Sequence, residues 1–427
     1  MNKSILAFAA SAVALTAPQI VMAESDPTTL TFWTFQQAHA TFFEDATERW
    51  NEANPNRAID MNAEVYPYDQ MHSNLLLALQ SGRGAPDLAD IEIRQISNYL
   101  QGDVPLVPLN DVVEPVLDDM VKSRFDIYSK DGSYYGVDYH VGASVMYYNE
   151  EIMDQAGVDI DSIETWDDYA AAGEQVVENT DAVMTTFESG DIFSFWIMIS
   201  QQGSDIFGED GSVTLDNQTN IDTLQFMQDM IYEQEIAVPA PGGDHHSEEF
   251  FGYMNNGGAA SVMMPMWYMG RFLDNMPDLD GKMQIRPLPR WEEGGNRSAG
   301  MGGTGTVVTN QSVDEQLSKD FLAFAKLTEE ANIRLWTVLG FDPLRHDVWD
   351  SEAVQADNAY YQYFHDDIFD ILLDIRDEIS GVNITELTPT AQQVIETNTL
   401  YSTLRSDSMS AEEALTQAAD EIRNRMR

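Results

Sequence analysis

The stretch Gly132–Ala156, GSYYGVDYHVGASVMYYNEEIMDQA, decides how the rest of the chain is read. From Tyr134 to Tyr148 it is rich in Tyr and Val, with Gly136, Gly142, Ala143 and Ser144 interrupting. Aromatic and β-branched residues favour extended backbone, and glycine inside such a run marks a bend or a close backbone approach. Asn149 then offers an N-cap, Glu150 and Glu151 suit the positive end of a short helix, and Gly157 stops it. An extended segment with a flexible middle and a capped helix behind it fits a crossover between two lobes. A single buried strand would share the pattern.

Upstream, the spacing predicts strand, helix, strand, helix, strand. Residues 28–35, TTLTFWTF, are β-type; Phe42, Phe43, Ala46 and Trp50 then share one helical face, ended by Asn54-Pro55-Asn56. Residues 58–65 read as a second strand. Met71, Leu75, Leu76 and Leu79 form a helical stripe over 68–82, and LADIEI (88–93) is a third strand. This alternation argues for a parallel α/β sheet. Ligands bind at the open carboxyl ends of such strands, which selects Thr34, Phe35 and Gln36 after the first strand and Glu92 and Arg94 near the end of the third. The alternatives are Phe35 in the core and Glu92 with Arg94 as a solvated pair.

Downstream, Thr165 with Asp168 opens a helix as a capping box. FSFWIMISQQG (193–203) is an apolar helix ending in Gly, and 221–234 is amphipathic through Ile221, Leu224, Met227 and Ile231. FFGYMNNGGAASVMMPMWYMGRF (250–272) holds a helix, a Gly turn, a buried strand over 259–264 and then Trp267. AGMGGTGTVVT (299–309) lacks the Lys-Ser/Thr ending of a phosphate loop and leads into a strand. Phe321–Trp336 reads as one amphipathic helix. The last helix opens with the box Ser410–Glu413 and buries Leu415, Ala418, Ile422 and Met426.

Tyr135-Gly136 through Tyr139, then YYNEEIMDQAGV, TWDDY (165–169), the Asn-Pro-Asn after the first helix and GRGAPDL before the third strand resemble the extracellular solute-binding proteins of family 1. These maltose-binding-protein-like proteins are the sugar-capturing subunits of ABC importers. The resemblance implies a two-lobed, class II periplasmic binding protein-like α/β fold, with a ligand cleft between lobes joined by crossing hinge strands. It divides the chain into a signal peptide (1–23), a first lobe (24–139, with 303–345 returning to it) and a second lobe (140–302, with the C-terminal helices 346–427).

The resemblance also implies the site residues. Trp267, after its strand, stacks on the sugar; a partly buried core Trp is the alternative. Phe193 and Trp196 are candidates from the apolar helix, where core packing competes. Trp291 follows the Arg286–Pro289 strand, Gly303 lines the cleft in the return crossover, and Asp138 and His140 lie in the first crossover. A sugar presents flat C–H faces and a rim of hydroxyls, so aromatic platforms with carboxylates, amides and Arg are the expected partners. Two lobes closing over it make the contacts that report a loaded protein to a permease.

Composition bounds the rest. The start, MNKSILAFAASAVALTAPQIVMA, has one Lys, an apolar run over 5–17 and small residues up to Ala23, the pattern of a secretory signal peptide. No later run reaches the roughly 20 apolar residues a spanning helix needs. With 427 residues and no Cys, the chain relies on its core rather than disulfides, and it has no thiol to carry a lipid anchor. The expectation is a monomer in a Gram-negative periplasm. The chain carries 22 basic residues, only six of them Lys, against 72 acidic ones, for a net charge of −50. Such a surface is a poor partner for nucleic acid or anionic membranes and fits a saline exterior.

Neither a cofactor nor a metal is expected. Asp244-His245-His246-Ser247-Glu248-Glu249 has ligand-type residues without ligand spacing. Two other functions stay open: a binding protein of the same fold for a polyamine or other osmolyte, and a secreted glycoside hydrolase using paired carboxylates.

Overall fold

After Ser133–Tyr134 pairs with Ser129–Lys130 in a two-stranded ribbon, the extended run enters the two main sheets. Gly136–Val137 is the edge of a five-stranded sheet ordered Ile59–Val65, Thr28–Thr34, Leu88–Glu92, Thr304–Val308, Gly136–Val137. Ser144–Asn149 is the centre of a three-stranded sheet, flanked by Ser261–Pro265 and Met283–Arg286. The computed structural model describes residues 26–364 and 368–425, so the signal-peptide segment and the Met426 end of the last helical stripe lie outside it.

The first three strands pair in parallel, joined by the helices Gln37–Ala53 and Tyr68–Ser81. Thr304–Val308 returns antiparallel to both neighbours. All five residues of Leu88–Glu92 and of Thr304–Val308 are buried, as central strands covered on both faces must be. In the second sheet both outer strands run antiparallel to Ser144–Asn149, whose six residues are also buried. A parallel pair, Thr185–Phe187 with Ala237–Pro239, lies beside it.

Local signals act where the sequence places them. The Asn149 side chain accepts from Ile152 N–H, and Gly157 closes the helix Glu150–Ala156 in the left-handed conformation. Thr165 and Asp168 make both bonds of their capping box. The expectation of one helix over 321–336 is corrected: Glu315–Lys326 and Glu329–Leu339 are separate. The Thr328 hydroxyl accepts from Ala331 N–H, and Glu329 and Glu330 occupy the first turn, so a new helix starts there.

Three segments cross between the sheets side by side. Met301 N–H donates to Gly142 O at 2.8 Å, Val141 N–H to Asp342 O at 3.1 Å, and Ala143 N–H to Asp342 Oδ2 at 2.7 Å. Gly142 has φ +81°, and a Cβ there would collide with Met301 O. Behind the crossing, Asp90 accepts from the Thr34 and Thr306 hydroxyls and contacts His39 Nδ1 at 2.8 Å. The buried Lys326 ammonium lies 3.2 Å from the centre of the Tyr139 ring. The final helix, Ala411–Arg425, packs on Gln218–Tyr232, so the C-terminal segment covers the second sheet's side.

Candidate functional site

A cavity of about 580 Å³ opens where the carboxyl ends of the first sheet face the second sheet across the crossing strands. Its walls are aromatic and its rim is charged. Phe35 follows the first strand and packs edge-on to Tyr68 at 5.1 Å, the first ring of the helix Tyr68–Ser81. Opposite, Trp267 sits in the turn after Ser261–Pro265. Its indole N–H donates to Met301 O at 3.1 Å, and His246 stacks parallel to it at 5.8 Å with 9° between the planes. Phe193 stands edge-on to Trp267 at 5.7 Å, and His140 lies between Trp267 and Phe341. Trp267 is therefore held before any ligand arrives, with part of its surface open to the cavity.

Arg94 is the electrostatic centre. Its Nε donates to Glu92 Oε1 at 2.9 Å and its Nη1 to Asp191 Oδ1 at 3.1 Å and Glu396 Oε1 at 3.4 Å. The guanidinium also lies 4.8 Å from the centre of the Phe193 ring, a planar cation over an aromatic face. Burial opposes its charge, but Glu92 and Asp191 outweigh it and hold the guanidinium firmly protonated. Burial pushes Glu92 up, against the pull of Arg94, and Tyr68 OH donates to Glu92 at 3.1 Å. Farther along, Arg271 Nη2 donates to Gln36 Oε1 at 3.0 Å, a second bridge between the two sides. Burial lowers His140 and His246 to about 3, so both are neutral rings with acceptor and donor nitrogens.

Trp267, Glu92, Phe35, Gln36, His140, Phe193 and Gly303 all face this cavity. Asp138, Trp196 and Trp291 do not. Asp138 is 0% exposed and its oxygens are taken: Oδ2 by Arg124 Nη2 at 2.6 Å, Oδ1 by the N–H groups of Tyr139 and Thr304. Trp196 is core, its N–H bonded to Asp205 at 2.7 Å. All nine residues of Phe193–Gln201 are buried, so hydropathy could not separate its cleft end from its core. Trp291 packs on the flank against Trp166 and Phe226. His245 is buried with Nε2 on the Thr186 hydroxyl, and among the described residues no cluster of three or more His, Asp or Glu could hold a metal.

Sequence reasoning missed Tyr68, Asp191, His246, Arg271, Phe341 and Glu396. Tyr68 and Phe341 carried a usable signal, an aromatic at the start of a helix or just past its Gly stop. The acidic pair carried none in a chain with 72 acidic residues.

Residues 34–332 match the family described as bacterial extracellular solute-binding protein. An arabinooligosaccharide-binding protein of Halalkalibacterium halodurans is 60% identical over 399 residues, covering 93% of this chain and 90% of the relative. One of the same description from Bacillus subtilis is 49% identical over 405 residues, covering 94% and 93%. Among solved structures, an ABC transporter associated binding protein from B. animalis subsp. lactis, in complex with β-1,6-galactobiose, superposes with a TM-score of 0.78. It is 20% identical and covers 93% of this chain and 97% of that one, a likeness of fold. The chain belongs to the bacterial extracellular solute-binding protein family.

Proposed function

We propose that this protein captures a short arabino-oligosaccharide by closing its two lobes and delivers it to the permease of an ABC importer. The observation that carries the reading is the pairing of Trp267, fixed from behind by His246 and Met301, with the planar polar groups Arg94, Glu92 and Gln36 across the same cavity. Aromatic faces meet C–H faces of a sugar, and carboxylate, guanidinium and amide meet its hydroxyls. The cavity falls within the ~300–1,000 Å³ of ligand clefts and has room for more than one ring. The names of the two relatives supply the sugar class.

Phe35, Gln36, Glu92, His140, Phe193, Trp267 and Gly303 are the contacts we assign to the ligand, joined by Arg94 and Arg271. Asp138 acts instead on the hinge, and Trp196 and Trp291 on packing. The lobes divide as 24–139 with 303–345 and 140–302 with 346–427, a division supported by the membership of the two sheets. The protein binds without turnover. Its signal-type start and the extracellular character of its family support export, and the −50 net charge fits a saline medium. Sequencing the N-terminus of the secreted form, with Glu24 expected first, tests the export step.

The function is tested by a thermal-shift screen in about 1 M NaCl against arabino-oligosaccharides, other sugars and polyamines. A ligand present at 100 times its Kd adds about 2.7 kcal/mol to stability. A shift with the arabinose series supports the reading. A shift with polyamines alone replaces the sugar while keeping the fold.

A further inference from the structure

The C-terminal segment Thr388–Arg405 lies beyond the residues that match the family. It starts as α-helix over Thr388–Val394 and turns π-helical over Ile395–Thr399 and Tyr401–Arg405. π turns are rare and gather at functional sites, because the extra residue per turn re-aims a side chain. Here the transition falls between two residues that both face the cleft, Gln392 and Glu396.

Each has something unspent. Gln392 Oε1 is buried with no hydrogen-bond partner among the described residues, which costs free energy unless a donor comes to it. Glu396 is the third carboxyl group on Arg94, after Glu92 and Asp191, so one cation meets three carboxyl groups drawn from three segments. These are the charged groups that face Glu396. Burial and then the charge of Asp191 push its carboxyl up to about 8, against the pull of Arg94 and the Gln392 amide. In the closed cleft Glu396 is thus an acid near neutral pH, able to donate to one sugar hydroxyl and accept from another.

We infer that Gln392 and Glu396 are a ligand-contacting pair, set by the π turn, that selects neutral sugars and completes closure by joining Arg94. The inference rests on the sugar reading of the cleft. An acidic sugar would add a fourth carboxylate beside Arg94 and is rejected. Closing the cleft also takes up a proton, since Glu396 returns to ordinary carboxylate behaviour when the lobes part and water reaches it. Affinity is then highest at low pH and is lost as pH rises toward the closed-state value, levelling above it.

The test is calorimetric titration with arabinotriose of the wild type, Glu396→Gln and Gln392→Ala, between about pH 6 and pH 9. Wild-type affinity is expected to fall by about tenfold per pH unit up to about pH 8, about a hundredfold across that range, the consequence of one linked proton. Glu396→Gln, which keeps the shape and has no proton to lose, flattens the profile. Gln392→Ala weakens binding about tenfold at every pH, the loss of one buried polar contact. Melting temperatures without sugar should agree among the three. Equal affinities with parallel pH profiles overturn the inference. A wild type that binds none of the arabinose series overturns the sugar reading itself.

Discussion

Arg271 reaches across the cleft and donates through Nη2 to the side-chain oxygen of Gln36 at 3.0 Å. The two residues leave opposite sheets: Gln36 caps the helix after the first strand, and Arg271 sits in Met269–Asn275, just beyond Trp267. The bond exists only while the lobes are close together, so its free energy belongs to closure rather than to folding.

Removing it should therefore change binding more than stability. For Arg271→Ala we expect sugar affinity to fall by about 1.5–3 kcal/mol, the range for hydrogen bonds to charged groups. The melting temperature of the unliganded protein should stay within about 1–2 °C, because half-buried pairs of this kind contribute little to folding. Small-angle scattering should also show a larger radius of gyration for the variant with sugar present. A large drop in melting temperature with unchanged affinity would assign the bond to folding.

The Arg124–Asp138 pair should behave in the opposite way. Arg124 donates from Nε and Nη2 to Asp138 Oδ2 and also binds Gly302 O at 2.7 Å, all in the interior. Breaking a buried pair leaves a charge without compensation, so Asp138→Ala should cost about 3–5 kcal/mol of stability. Gly303→Ala should cost on the order of 2 kcal/mol. At φ +140° its Cβ would overlap Arg124 Nη2 and stand 2.7 Å from Asp138 Oδ2. Urea unfolding curves measure both. Wild-type midpoints in both variants would show that this hinge contact carries no stability.

Asp342 is a buried carboxylate that works against the fold. Its Oδ2 accepts from Ala143 N–H, yet its Oδ1 and His140 Nδ1, 3.9 Å apart, are both buried without partners among the described residues. Burial pushes its carboxyl up to about 7. A carboxyl raised in the folded state stabilises below its unfolded value near 4, and that stability is lost as pH rises to about 7. Asp342→Asn removes the loss and offers an amide N–H to His140. We expect the variant to gain on the wild type as pH rises from about 5 to 8, by on the order of 1–2 kcal/mol. A gap in melting temperature that stays constant with pH would contradict this.

Salt should stabilise the protein throughout. Among the described residues seven acidic side chains are buried (Asp87, Asp90, Glu92, Asp138, Glu188, Asp205 and Asp342), so most of the −50 net charge faces solvent. Raising NaCl from about 0.1 M to 1 M shortens the screening length from about 10 Å to 3 Å and weakens that repulsion. The melting temperature is expected to climb steeply over this range. A flat curve would mean the acidic surface is already neutralised by its own Arg and Lys pairs.

The fold was largely legible because local rules agreed with one another. Alternating strands and helices, Asn149 and Gly157 bounding one helix, and Thr165 with Asp168 opening another all act as their residue types dictate. The strand-end rule also found Phe35, Gln36 and Glu92. Legibility failed where chemistry was uniform. An entirely buried helix hides which of Phe193 and Trp196 meets the cleft. An acid-rich chain hides Asp191 and Glu396, whose significance comes only from meeting Arg94 across long sequence separations. The break at Thr328 was readable, since Thr followed by Glu329 and Glu330 is a helix start; the apolar stripe running through it masked the signal.

The central claim is that Trp267 forms the floor of a saccharide site. Its most direct test is isothermal titration of the purified protein with arabinotriose in about 1 M NaCl, beside Trp267→Ala. We predict one saturable site in the wild type and affinity at least ~30-fold lower in the variant, the ~2 kcal/mol typical of a dominant aromatic contact. No heat in the wild type, or an isotherm that Trp267→Ala reproduces, would contradict the account.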